Sequence, residues 1–323
     1  MNKYLFLFLS CVVSTSQATQ VAYVADYTNN TVTPIDLTTN TPGKTISTAG
    51  AHGGSEPTRV VITSNNRYVN VTNTSGGTHN LGDVVVIDTH NNNAVTSIED
   101  ENFNGPGGMA IDLHGIAYVT NVYSNKISYF PTPIASWIRT LYVGATPLNI
   151  AITRDGKYLY VTNSGSDSIS VYDISGSSPM FFATIEVTNP YDIAITPDNK
   201  MVYVTNNNAG SVTYFPVGQE DPPLRTITVG SFPAGIAITR DGQYAYVANQ
   251  NSSTVSMIQL STNMVVATIK LPSVGGHIAI ANNFVYVSSH STVSYFAAGQ
   301  TNPTVMTING FTMPMGIAIT TTP

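Results

Sequence analysis

Cysteine is almost absent from this chain: Cys11 is the single one among 323 residues. It lies inside an N-terminal segment that reads as a removable leader, so the remaining chain has no thiol. Disulfide staples, thiolate nucleophiles and Cys-ligated metals are excluded together. Charge is also scarce. Lys+Arg number 12 and Asp+Glu 18, a formal net of −6, and charged residues make up 9% of the chain, where about 25% is usual. No basic footprint of the kind that binds phosphate backbones is visible, so nucleic acid is not an expected partner. Sustained helical periodicity is missing as well, and so is any apolar run of the roughly 20 residues that a transmembrane helix needs.

What is present at the N-terminus has the layout of an export signal. Lys3 supplies the positive end, residues 4–13 a short apolar run, and Ser16-Gln17-Ala18 a small-residue cleavage site. The expected division is a leader over 1–18 and one domain over 19–323, exported to the periplasm, the cell surface or the medium. The alternative, in which Cys11 carries a lipid after Phe8-Leu9-Ser10, changes membrane attachment and leaves the fold alone.

The rest of the chain is a repeat. Tyr118-Val119-Thr120-Asn121 returns as Tyr160-Val161-Thr162-Asn163 and Tyr203-Val204-Thr205-Asn206. Looser copies start at Tyr23, Asn70, Tyr246 and Tyr286, with successive spacings of 47, 48, 42, 43, 43 and 40. A period of about 40–45 residues is that of a four-stranded propeller blade. Each period holds four strand-length apolar runs. In the cleanest copy these are Ile150-Ala151-Ile152-Thr153 (A), 158–161 (B), 169–172 (C) and 182–185 (D). Asp155-Gly156, Asp198-Asn199, Asp241-Gly242 and two Asn-Asn pairs join A to B. They predict two-residue type I′ turns with positive φ at both positions. The fold class expected is all-β: a seven-bladed β-propeller of four-stranded antiparallel blades. The chain starts on a B strand (21–24) and finishes on an unpaired A strand (316–320). The C-terminal strand is therefore expected to complete the N-terminal blade and close the ring.

These copies, with Ile-Ala-Ile-Thr-x-Asp-Gly followed by Tyr-Val-Thr-Asn and an alternating C strand, resemble the YVTN-family β-propeller repeat over essentially all of 19–323. The resemblance implies the fold and an exported location, in company with surface-layer and YncE-like proteins, and no single activity. Lactonase-type propellers are more distant relatives. Copies 2 and 7 depart from the motif (Asn70 for the Tyr, Ser288-Ser289 for Thr-Asn), so their blades are expected to be irregular.

Two groups of residues are candidates for function. Aligning the entry to strand A as Pro-x-z-Ile-Ala-Ile places Arg59, Gly108, Asn149, Asp192, Gly235, His277 and Gly316 at z. Strand A is innermost, so these residues ring one mouth of the channel. Arg59, Asn149, Asp192 and His277 there suit a polar or anionic small ligand, while wet side chains and an Arg59–Asp192 pair are the plainer account. The second group lies on the long connections 47–57, 73–82 and 97–106, which carry His52, Glu56, His79, Glu99, Asp100 and Glu101. They read as solvated loop charges unless they gather around a metal, and no ligand spacing is diagnostic. Catalytic residues are not identified and no cofactor is expected, a divalent metal being the one weighed. The leading expectation is a monomeric, non-catalytic propeller holding a protein, glycan or small molecule. The alternative is a lactonase-like hydrolase or lyase with His277, Asp192 and Glu56 as acid/base candidates.

Overall fold

Every Tyr-Val-Thr-Asn segment forms the second strand of an antiparallel blade, since β-branched and aromatic residues on alternate faces suit a sheet buried on both sides. The computed structural model describes residues 20–49, 55–75, 81–91, 93–281 and 283–320. The leader, Cys11, His52 and His79 lie outside these. Blade 4 shows the pattern: Pro147–Ile152 (A), Tyr158–Asn163 (B), Ser168–Asp173 (C) and Met180–Glu186 (D), paired in that order. Seven such sheets form the ring, and the described residues hold only two short 3₁₀ turns, Ser164–Ser166 and Asn207–Ala209.

The ring closes as the phase of the repeat requires. Pro314–Ile319 pairs with Val21–Asp26, placing Tyr23 opposite Ala318 and Val24 opposite Ile317. Blade 1 is thus strand A from the C-terminal end and strands B, C and D from the N-terminal end. Apolar clusters fill the gaps between neighbouring blades. In one, Tyr160, Ile169 and Val171 of blade 4 meet Val202, Val204 and Phe215 of blade 5. The repeated tyrosines are core residues rather than stacking platforms. Tyr160 is 1% exposed and its hydroxyl accepts the Gly218 N–H of the next blade at 2.9 Å.

Two expectations are corrected. Of the Asp155-Gly156 pair only Gly156 has positive φ (70°), and its N–H donates to Thr153 O at 2.8 Å. The connection is a type I turn followed by one left-handed residue, within a longer loop than a type I′ pair allows. Asp155 Oδ1 accepts the Lys157 N–H at 3.1 Å, which stabilises that geometry. Blades 2 and 7, moreover, are ordinary four-stranded sheets. The irregular blade is the first, whose outer strand is split into Thr41–Pro42 and Ile46–Ser47.

The entry to strand A carries a feature that the repeat alone does not announce. In blade 4, Pro147 faces Asn163 and Ile150 faces Val161, so Leu148 and Asn149 together oppose Thr162. The register shifts at the same point in all seven blades. This is a β-bulge, and it re-aims the z side chain toward the channel. The threonine opposite holds the bulge. Thr162 Oγ1 accepts the Asn149 N–H at 3.0 Å and donates to Tyr191 O of blade 5 at 3.0 Å. Thr205 does the same between Asp192 N–H (2.9 Å) and Ala234 O of blade 6 (2.8 Å), and Thr72 between Arg59 N–H (3.2 Å) and Gly107 O of blade 3 (2.8 Å).

A chain ending before Pro314 should lose the ladder that closes the ring. The expected outcome is aggregation or loss of a cooperative melt by circular dichroism, and an equally stable truncation would refute closure by this strand. Thr205→Val keeps the shape but strands one buried donor and one buried acceptor. A loss of about 1–3 kcal/mol in urea unfolding is expected.

Candidate functional site

The seven bulges direct side chains to one end of the channel, and three of them meet across it. Arg59 of blade 2 places one guanidinium nitrogen 2.8 Å from His277 Nδ1 of blade 7 and the other 3.3 Å from Asp192 Oδ1 of blade 5. Long reach and a planar fork let arginine bridge the ring in this way. Glycines flank these residues because neighbouring backbone abuts them. A Cβ on Gly316 would lie 2.7 Å from Thr58 O, and one on Gly235 2.6 Å from Gly276 O.

The chemistry of each partner follows from its bonds. A guanidinium can only donate, so His277 Nδ1 accepts and the ring proton sits on Nε2. Burial, reinforced by the Arg59 charge, holds the His277 pKa well below its ordinary 6.5. The imidazole is therefore a neutral donor at Nε2, to which no described protein group bonds. Asp192 accepts three hydrogen bonds: from Arg59, from Ile193 N–H at 3.0 Å and from Ile236 N–H at 3.1 Å. It anchors Arg59 and does not line the cavity beside it. Asn149 donates from Nδ2 to Tyr191 O at 2.9 Å, which aligns its amide.

That cavity has a volume of about 150 Å³ and opens to solvent. Arg59, His277, Asn149, Tyr191, Thr58 and Thr74 give it polar groups, and Val122, Leu148 and Met315 an apolar wall. Tyr191 is a participant that only the alignment hinted at, as the x residue before Asp192. Burial raises its phenol pKa, so the hydroxyl stays protonated and is a further donor. The site thus offers donors, without a free carboxylate, around a space fit for a small molecule.

The residues of the long connections are placed elsewhere. Glu56 belongs to strand A of blade 2 (Ser55–Ile62), at φ 64°, with its N–H donated to Asn30 Oδ1 at 2.9 Å. Asp100 accepts the Asn102 N–H at 2.8 Å within its own turn, and Glu101 is exposed. None of Glu56, Glu99, Asp100 or Glu101 lines the mouth cavity. Among the described residues no group of three or more His, Cys, Asp or Glu is arranged to hold a metal ion.

The fold and this mouth define a seven-bladed propeller with a ligand-sized cavity at one end of its channel. The family model described as lactonase, 7-bladed beta-propeller matches residues 9–228 and 188–274. The chain belongs to that family. The YVTN resemblance stays at the level of the repeat motif. No curated protein matches the chain. Among solved structures, it is similar to a protein from Bacteroides fragilis NCTC 9343 described as a candidate 6-phosphogluconolactonase, with TM-score 0.77, 15% identity, and 95% of this chain and 99% of the other covered. It is also similar to a periplasmic gluconolactonase from Pseudomonas aeruginosa, with TM-score 0.75, 15% identity and coverage of 95% and 100%. A third is the catalytically inactive histidine-to-alanine form of virginiamycin B lyase from Staphylococcus aureus, with TM-score 0.66, 14% identity and coverage of 78% and 84%. At these identities the likeness shows the fold.

The His277 environment sets a pH dependence. Below pH 6.5 the unfolded chain takes up a proton on this imidazole that the folded chain refuses, so stability falls as pH drops from 6.5 toward the folded pKa and is complete above 6.5. Arg59→Gln removes one of the two causes. It should raise the His277 pKa, read by histidine NMR titration, and narrow that window of acid sensitivity.

Proposed function

We propose that this protein is a lactone hydrolase working at the Arg59–His277 mouth on a small uncharged lactone. The observation that carries the reading is the pairing of a fixed guanidinium with a neutral imidazole donor beside a ligand-sized cavity. Supporting it are the lactonase family to which the chain belongs and the gluconolactonase likeness in fold. The same mouth would also serve a binding propeller without turnover, and the family favours hydrolysis.

Water adds to the lactone carbonyl carbon, and the carbonyl oxygen becomes an oxyanion. Arg59 N–H and His277 Nε2–H donate to that oxygen; a neutral imidazole polarises a carbonyl without giving up its proton. The C–O ring bond then breaks, the attacking water's proton ends on the ring oxygen as an alcohol, and the product is a hydroxy acid. Asp192 positions Arg59, while Tyr191 and Asn149 orient the ring against Val122, Leu148 and Met315.

An uncharged substrate is the better fit for electrostatic reasons. Arg59 is the only Lys or Arg lining the cavity, and Asp192 offsets its charge. A phosphate dianion finds no desolvated cation to replace its water. Export, read from residues 1–18, would place the activity outside the cytoplasm, as in the periplasmic gluconolactonase of similar fold.

The test is hydrolysis of glucono-δ-lactone against its 6-phosphate, followed by pH-stat. Turnover of the neutral lactone is expected, with Arg59→Ala lowering kcat by about 10²-fold or more and His277→Ala by a similar factor while both variants stay folded. Tight binding of the lactone without turnover would establish the binding propeller instead. Preference for the phosphorylated substrate would overturn the electrostatic argument alone.

A further inference from the structure

Blade 2 extends further at the mouth than its neighbours do. Its strand B, Tyr68–Ser75, has eight residues, whereas strand B of every other blade has six and stops at the position of Asn73. The two extra residues are Thr74 and Ser75. Ser75 pairs with Ser55 of strand A, and their hydroxyls lie 2.9 Å apart. Arg59 pairs with Thr72 on the same hairpin. The extension thereby carries Thr74 to the cavity, which it lines together with Thr58 and Arg59.

A hydroxyl has one proton to give and two lone pairs with which to accept. Thr72 Oγ1 gives its proton to Gly107 O at 2.8 Å, so Thr58 Oγ1, 3.2 Å away, donates to Thr72. Thr74 Oγ1 donates in turn toward Thr58 Oγ1 and Glu56 O, both at 3.3 Å. All three protons are taken up within the protein, and among the described residues nothing donates to Thr74 Oγ1. Its lone pairs are therefore open to a guest. Two backbone oxygens beside the cavity are already engaged. Leu148 O accepts Thr120 Oγ1 at 3.0 Å, and Tyr191 O accepts Thr162 Oγ1 at 3.0 Å and Asn149 Nδ2 at 2.9 Å. The Arg59 guanidinium and His277 Nε2–H only donate. Side-chain acceptors facing a guest are the Thr58 and Thr74 hydroxyls, Asn149 Oδ1 and the Tyr191 hydroxyl, and of these only the threonines share a blade with Arg59.

We propose that Thr74 Oγ1 holds the hydrolytic water, with Thr58 fixing the direction of the Thr74 hydroxyl. The inference rests on the lactone-hydrolase reading of this mouth. With Arg59 and His277 donating to the carbonyl oxygen, the attacking water needs a separate acceptor, so that one of its lone pairs is turned to the carbonyl carbon. One water O–H donates to Thr74 Oγ1. The water oxygen bonds to the carbonyl carbon while the C=O pair moves onto the oxyanion. The ring C–O bond then breaks with its electron pair on the ring oxygen, which takes up the proton released by the added water. Thr74 restrains the water without taking its proton, and the water reaches the carbon already oriented.

Hydrolysis of glucono-δ-lactone by pH-stat, paired with calorimetric binding of the unreactive lactam of the same ring, tests the assignment. Thr74→Val should lower kcat by about tenfold or more, leave KM within about twofold and bind the lactam as the wild-type chain does. Thr74→Ser keeps the hydroxyl and should hold kcat within about threefold of wild type. Thr74 is half-buried; an unchanged urea midpoint would show that the valine variant is folded, and Thr74→Ala makes the same comparison where valine is not tolerated. Full kcat in the variants lacking the hydroxyl, an equal loss in Thr74→Ser, or a loss of lactam binding that matches the loss of kcat would each overturn the role of Thr74 and leave the hydrolase reading standing. A wild-type chain that binds the lactam and does not turn over the lactone would remove that reading, and this inference with it.

Discussion

A single hydroxyl, repeated around the ring, ties local strand geometry to the assembly of blades. The threonine of Tyr-Val-Thr-Asn lies on strand B, where an alternating pattern would admit almost any β-branched residue. Its Oγ1 has two assignments at once: it accepts the N–H of the bulged z residue in its own blade and donates to the x carbonyl of the next. Valine could fill the space and would satisfy neither. In the blades that carry the threonine, one atom therefore links the bulge, the inward aim of z and the spacing to the next blade. Blades 1 and 6 have Ala25 and Ala248 at this position, so the ring there relies on packing such as Tyr246 against Val285, Val287 and Phe296.

The channel mouth inherits its geometry from that arrangement. Arg59, Asp192 and His277 are far apart in sequence, yet each occupies the same bulge position in its blade, and the ring brings them within hydrogen-bond range. Because Asp192 is held by two backbone N–H groups, the Arg59 fork has a fixed anchor on one side. The imidazole on the other side is buried enough to stay uncharged. In the proposed lactone hydrolysis these donors would be set before the substrate arrives, which is the condition under which such groups accelerate reactions most.

Much of this was legible from the residues. Repeat spacing gave seven blades, the unpaired final strand gave the closure, and the alignment put Arg59, Asn149, Asp192 and His277 at one mouth. What escaped was geometry that a period cannot encode. The bulge adds a residue without changing the spacing of the motifs. The Asp-Gly and Asn-Asn pairs suit a type I turn with one left-handed residue as readily as a type I′ pair, and only the hydrogen bonds of Asp155 and its equivalents decide between them. Glu56 reads as a loop residue because strand A of blade 2, Ser55–Ile62, begins earlier than its apolar run. The donor role of His277 needs the Arg59 bond to fix its tautomer, and no sequence states that.

The pairing of Tyr23 with Ala318 joins residues nearly the whole chain apart. A ribosome delivers the N-terminal end first, so strand B of blade 1 must wait with one edge unsatisfied while the other six blades are made. Contacts of such separation form late, after many local hairpins are available. The last strand therefore acts as a quality gate in time: until it arrives, the ring is an open arc with two sticky ends, and an arc is the form most exposed to pairing with a stranger.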